Sequence, residues 1–199
     1  MSQILSNSAK NKRDKISNQN KAISILSGNS AKIAEFDRLL GMDLDHFEVD
    51  LLEIQDTDVR KVAEHKATEG YKKLGRPCFV DDTGLTIHEW GNLPGALIKW
   101  FLDNVGVEGI IEMMGGSSDR TATVTTALGY CDEDGVQVFA GEVQGKISDT
   151  PRGENGFGYD SIFIPNGFNK TFGEMTDDEK TEISMRAIAA RAMKEALDL

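Results

Sequence analysis

Disulfide scaffolding is the first possibility this sequence removes. Its 199 residues contain two cysteines, Cys78 and Cys131, far apart in the chain, and such usage fits a reduced, cytosolic setting. Three histidines, His46, His65 and His88, stand at no zinc-ligand spacing, and no Cys-x-x-Cys occurs, so a structural zinc site is excluded. No apolar run approaches the ~20 residues needed to cross a bilayer, which excludes a membrane-spanning helix. Basic residues are also scarce, 22 against 33 acidic ones, for a net charge of −11. Broad binding to a nucleic-acid backbone needs a basic surface, so a polynucleotide partner is not expected. A small polyphosphate is still bindable where a few lysines and a divalent metal converge. Internal repeats are absent, and so is the P-loop pattern Gly-x-x-x-x-Gly-Lys-Ser/Thr.

What is there is the composition of a globular domain, 39% hydrophobic and 28% charged, long enough to bury a core. The first 21 residues differ from the rest. Lys10, Lys12, Arg13, Lys15 and Lys21 against Asp14 give about +4, which leaves about −15 for the remainder. The segment is rich in Ser and Asn, lacks the apolar stretch of a secretory signal, and has a single arginine where a mitochondrial presequence has several. Residues 1–21 are expected to be a disordered basic tail and 22–199 the functional domain, in the cytoplasm.

Periodicity predicts an α/β order for that domain. A short apolar strand ends at Ser27-Gly28-Asn29, and a helix follows with Ile33, Phe36, Leu39 and Leu40 on one face. Phe47–Leu52 reads as a second strand, 58–73 as a helix, and Pro77–Val80 as a buried strand running into Asp81-Asp82-Thr83-Gly84. Helices are expected over 96–104, with Leu97, Trp100 and Phe101 buried, and over 108–114. Two β-rich runs, 121–130 and 136–147, flank Asp134-Gly135, a hairpin signal. A glycine-rich loop over 151–158 and a short strand over 161–164 follow. Thr176-x-x-Glu179 is a capping box opening the last helical region, which Ser184 can break and recap.

The chemistry concentrates on one expected rim. Lys32 falls in the first turn of a helix that follows a strand, where free backbone N–H groups and the helix dipole favour an anion. Ser27, Gly28, Asn29 and Lys32 are therefore a candidate phosphate turn; the plain alternative is a turn capped by Ser27 or Asn29. Glu53, Asp81 and Asp82 are expected at strand ends or in the loops after them, where open α/β sheets gather ligands. Hard carboxylate oxygens there suit Mg²⁺. Phe157, between two glycines, is either a stacking platform for a base or a loop residue folded inward. Lys180 and Arg186 are candidate donors whose alternative is a solvated helix face.

Taken in order, these motifs resemble the inosine triphosphate pyrophosphatase family, also called the Ham1 or non-standard purine NTP pyrophosphatase family. The match covers roughly residues 22–197. It rests on Ser27-Gly28-Asn29-x-x-Lys32 with Glu35-Phe36, Glu53-x-Gln55, Asp81-Asp82-Thr83-Gly84-Leu85, Leu93-Pro94-Gly95 with Ile98-Lys99-Trp100-Phe101, Phe157-Gly158-Tyr159-Asp160-Ser161-Ile162-Phe163, Glu179-Lys180 and Ser184-x-Arg186. The resemblance implies an elongated, bilobed α/β fold, a mixed sheet flanked by helices with the active-site cleft between lobes, and a homodimer. It implies Mg²⁺-dependent hydrolysis of inosine, deoxyinosine and xanthosine triphosphates to the monophosphate and pyrophosphate. Carried over to this chain, Ser27, Gly28, Asn29, Lys32 and Lys66 hold phosphates, with Lys32 counted as catalytic. Glu53 and Asp82 hold the metal, and Asp82 accepts the proton of the attacking water. Thr83, Phe157, Gly158, Tyr159, Asp160, Lys180 and Arg186 surround the nucleotide. In this family Thr usually stands at the position of Ser27, which keeps the hydroxyl. Met185 replaces the His of the usual Ser-His-Arg, so a relaxed or shifted base preference is one alternative. A nucleotide-binding protein without turnover is another, although the carboxylate set is intact.

Overall fold

Side-chain alternation along one long strand organises this molecule, whose computed structural model describes residues 23–199. The expected basic tail lies outside the described residues, as does Ala22. Strand β3, Cys78–Ile87, sends Phe79 and Asp81 to one face and Cys78, Val80 and Asp82 to the other, as the two-residue period requires. On the first face Phe79 packs with Ile25, Phe36, Leu128 and Met193. On the second, Val80 packs with Leu26, Val59, Ala63 and Ala67. The far end of the strand, Leu85 and Ile87, enters a third cluster with Ile98, Ile110, Phe163 and Phe172. The molecule thus has two lobes threaded by the same long strands, with the cleft between them.

The other strands are β1 (Ser24–Leu26), β2 (Asp45–Phe47), β4 (Pro94–Gly95), β5 (Thr121–Asp132), β6 (Gly135–Ile147) and β7 (Phe163–Pro165). They form a mixed, open seven-stranded sheet of order β2-β1-β3-β5-β6-β7, with β4 pairing β3. β1 runs parallel to β2 and β3, and the remaining pairs are antiparallel. The helices are α1 (Ser30–Leu40), α2 (Val59–Leu74), α3 (Ile98–Met114), α4 (Asp177–Ile183) and α5 (Met185–Leu197). α1 and α5 cover the Phe79 face and α2 covers the opposite one. α2 lies close to the sheet because Gly129 faces it; a Cβ there would be 2.2 Å from the Ala63 carbonyl oxygen.

Elements with local signals form as expected. The β5–β6 hairpin closes with Asp132 opposite Gly135. The 96–114 region is helical on both sides of Gly106, whose φ of 68° and ψ of −177° break it into the two segments expected. Thr176 and Glu179 form the capping box, and Ser184 ends α4 and recaps α5 by accepting from Ala187 N–H at 3.2 Å.

Four expectations need correction. β2 is Asp45–Phe47, not 47–52. Its only partner among the described residues, β1, has three residues, so after Ser27 N–H donates to the Phe47 carbonyl the chain leaves the sheet, and residues 48–57 are irregular. Asp81 and Asp82 are mid-strand, paired across to Leu128 and Ala127. They still face the cleft because β1 stops beside them and leaves that edge of β3 open. Trp100, expected inside, is 57% exposed. The last strand starts at Phe163, two residues later than expected.

Candidate active site

The Ser27-Gly28-Asn29 turn is capped as its sequence allowed. Asn29 caps α1, its Oδ1 accepting from Ala31 and Lys32 N–H at 3.0 and 3.2 Å, and its own N–H donates to Ser27 Oγ. The same turn lines a cavity of about 690 Å³ together with Gly28, Lys32, Lys66 and Glu53. The Glu48 carboxylate covers Gly28, where a Cβ would sit 2.9 Å from its Oε1. A second cavity of about 360 Å³ shares Asn29, Lys32, Lys66 and Glu53 and adds Asp82, Thr83, Phe157, Gly158, Tyr159, Asp160, Lys180, Met185 and Arg186. Every site residue expected from sequence lines one of these two adjoining spaces.

Three ion-paired centres set the chemistry. At the first, Arg186 is 1% exposed. Its Nε and Nη2 donate to the two Asp81 oxygens at 3.3 Å, and Nη1 donates to Glu35 Oε2 at 2.9 Å. Lys32 Nζ adds a contact of 2.7 Å to Asp81. Burial alone raises the Asp81 pKa, but the Arg186 and Lys32 charges outweigh it and hold this carboxyl well below the usual carboxylate range. Asp81 is a fixed anion and a poor proton acceptor.

The second centre is opposite in character. Burial pushes the Asp82 pKa up to about 6, with Glu53 and Asp81 adding to the rise and Lys66 opposing it. Lys66 Nζ lies 2.8 Å from Glu53 and 3.5 Å from Asp82. Asp82 Oδ1 accepts from Thr83 N–H at 2.8 Å, while Oδ2 is buried and accepts no hydrogen bond from the described residues. A buried carboxylate oxygen without a donor, beside a second carboxylate and facing a cavity, fits a hard divalent cation. Among the described residues no group of three or more His, Cys, Asp or Glu forms a closed metal cage. A site completed by substrate phosphates and water needs none.

The third centre surrounds an exposed aromatic ring. Lys180 Nζ lies 2.7 Å from Asp160 Oδ2, which also accepts from Phe157 N–H at 2.7 Å. Phe157 is 44% exposed, with Lys180 Nζ 5.6 Å and Arg186 Cζ 5.5 Å from its ring centroid. Its loop is thus fixed with the ring open to the cavity. Tyr159 is buried beneath, its hydroxyl 3.5 Å from the Gly84 carbonyl.

Two details refine the expectations for α5. Of the five N–H donors of Arg186, three are engaged by Asp81 and Glu35, leaving one on each terminal nitrogen for a ligand. Met185 is 3% exposed and packs in the cluster with Leu85 and Phe172, while one side of it meets the cavity. The buried face of α5 includes Met185, Arg186, Ala189, Ala190 and Met193. Sequence reasoning missed Glu35, Lys99, Leu102 and Asp103 as site residues, of which the last three line the cavity. Lys99 belongs to the Ile-Lys-Trp-Phe stretch and was legible there; Asp103, its partner one turn on, carried no signal.

The Ham1 family model matches residues 23–196. The chain belongs to the Ham1 family. Among relatives, it is 39% identical to the inosine triphosphate pyrophosphatase of Candida glabrata, over 88% of this chain and 96% of that protein. It is 36% identical to the dITP/XTP pyrophosphatase of Methanopyrus kandleri, over 85% of this chain and 92% of that one. The solved Ham1 protein of Coxiella burnetii superposes with a TM-score of 0.80 at 29% identity, covering 88% of this chain and 98% of that structure. The fold of this Ham1 chain is that of the solved Ham1 protein over nearly the whole length of that structure. Among the described residues no helix is long and apolar enough to cross a membrane.

Proposed function

We propose that this chain hydrolyses inosine, deoxyinosine and xanthosine triphosphates to the monophosphate and pyrophosphate. One observation supports this most: a phosphate turn, two lysines, a carboxylate with a raised pKa and an open aromatic share one cleft. Lys32, Asn29 and the α1 N-terminus bind and orient the phosphates. Glu53 and Asp82 would hold Mg²⁺, which when bound would neutralise charge on the phosphates and lower the pKa of a water. Asp82 takes the proton of the attacking water while the linkage between the α and β phosphates breaks, and its pKa of about 6 suits a base at neutral pH. Phe157 stacks on the base. The remaining N–H groups of Lys180 and Arg186 are donors only, so they favour the C6 oxygen of hypoxanthine or xanthine over the amino group of adenine.

The expected test is a comparison of inosine and adenosine triphosphates as substrates with Mg²⁺. kcat/KM is to favour the oxo base, and equal values would contradict the assigned donors. Lys32→Ala removes a phosphate contact of about 1.5–3 kcal/mol and should raise KM by about 10- to 150-fold. An unchanged KM would remove Lys32 from the phosphate site. The alternative of relaxed specificity through Met185 is less favoured, because Met185 is packed in the core and the donors lie on Lys180 and Arg186. Met185→His should therefore leave the inosine-to-adenosine ratio within about threefold and lower stability by about 1–3 kcal/mol. A sharpened ratio at unchanged melting temperature would reverse that assignment. The proposal extends to a cytoplasmic homodimer, consistent with the free buried Cys78 and Cys131 and with the family resemblance; light scattering tests the dimer.

A further inference from the structure

Glu53 is the least supported residue of the candidate metal pair. Asp82 is fixed by the ladder of β3, whereas Glu53 lies in the irregular segment 48–57, where neither sheet nor helix holds the backbone. Its first half packs through Val49 and Leu51 against the cluster of Leu26, Ala63 and Val80, but from Glu53 onward it borders a cavity of about 350 Å³ lined by Glu53, Gln55, Val62, Leu97 and Trp100. There the Glu53 carboxylate is held by Lys66 Nζ at 2.8 Å, and the chain on either side of it is fastened by three hydrogen bonds. Lys73 Nζ donates to the Asp50 carbonyl before Glu53. Ala96 N–H donates to the Thr57 carbonyl at 3.0 Å after it. Between them, Trp100 Nε1 donates to Gln55 Oε1 at 2.7 Å, two residues from Glu53.

Trp100 stands in the first turn of α3, in the lobe opposite to the sheet end that carries β1 and β2. An indole 57% exposed contributes little to a core, and its single N–H is its only donor. Here that donor reaches a polar side chain two residues from Glu53 in the same segment. Given the pyrophosphatase activity proposed above, we infer that Trp100 is a positioning residue for Glu53: through Gln55 it sets where the Glu53 carboxylate stands relative to Asp82, and it ties that placement to the other lobe. It touches neither substrate nor metal.

The test is a double-mutant cycle read on metal affinity. Trp100→Phe keeps an aromatic ring and removes the donor; Gln55→Leu keeps the shape and removes the acceptor. Mn²⁺ binding to the nucleotide-free protein, followed by the resonance of free Mn²⁺, should weaken by about three- to tenfold in each variant, the loss of one hydrogen bond. The double variant should be no weaker than the weaker single one. In a Trp90→Phe background, Trp100 is the only tryptophan, and Mg²⁺ should shift its emission; Gln55→Leu should abolish that shift. Lowered melting temperatures with Mn²⁺ affinity within twofold of wild type would overturn the inference, as would single effects that add. Failure of the wild-type protein to hydrolyse inosine triphosphate would overturn the activity alone, because metal affinity and emission report the Glu53 segment without turnover.

Discussion

Asp82→Asn is expected to abolish most activity and, at neutral pH, to stabilise the protein. The amide keeps the shape but cannot accept the water proton, and loss of a general base costs about 10²–10⁴-fold in rate; the weakened metal site adds to that. The stability effect follows from the same burial. The folded pKa of about 6 lies above the unfolded value of about 3.9. Between those values the native state binds more protons, so stability falls as pH rises from about 4 to 6 and stays lower above it. Asparagine has no such cost. Part of the gain is offset because Lys66 loses a charged neighbour, 3.5 Å away. In chelator, the variant should melt above wild type at pH 7.5 by an amount worth about 1–2 kcal/mol, roughly 3–6 °C for a domain of this size. At pH 4 the two should coincide. A variant that keeps activity within threefold, or that melts below wild type at pH 7.5, would remove Asp82 from the role given to it.

The second large effect belongs to Arg186. It neutralises Asp81 and Glu35 in a position almost without solvent contact. Replacing it with Ala strands Asp81 as a buried charge, a change that typically costs about 3–5 kcal/mol, or about 10 °C here. The pH dependence should invert as well. In the wild type the depressed pKa of Asp81 contributes stability that is present above about pH 4, the unfolded value, and is lost as pH falls towards the folded value. Without Arg186, burial dominates, and the variant should gain stability on mild acidification where the wild type does not. Thermal melts from pH 4 to 8 decide this. A flat difference between the two proteins would mean that the ion pair is not what holds Arg186 in place.

These two residues also show what the sequence did and did not disclose. Motifs made of neighbours in the chain were legible: the Asn29 cap, the Thr176–Glu179 box, the recap at Ser184 and the β5–β6 turn each depend on residues at most a few positions apart. The length of β2 was not, because it is set by a three-residue partner strand. The mid-strand position of Asp81 and Asp82 was hidden for a related reason: polar residues at the end of an apolar run read as a strand end, and only the pairing with Ala127 and Leu128 shows that the strand continues. The burial of Arg186 was not legible, because periodicity counts an arginine as outward-facing. Arg186 is inward because two acids from other elements, Glu35 and Asp81, neutralise it. Trp100 was placed inside for its size, while the structure keeps it outside and bonded to Gln55. That the candidate residues would gather along one cleft was legible all the same, since the motifs name residues regardless of where strands end.

The measurement that bears most directly on the account is product identification by ³¹P NMR. Inosine triphosphate incubated with the protein and Mg²⁺ should yield inosine monophosphate and pyrophosphate in equal amounts, with turnover lost on chelation. Orthophosphate with inosine diphosphate, or hydrolysis that persists in excess chelator, would contradict it.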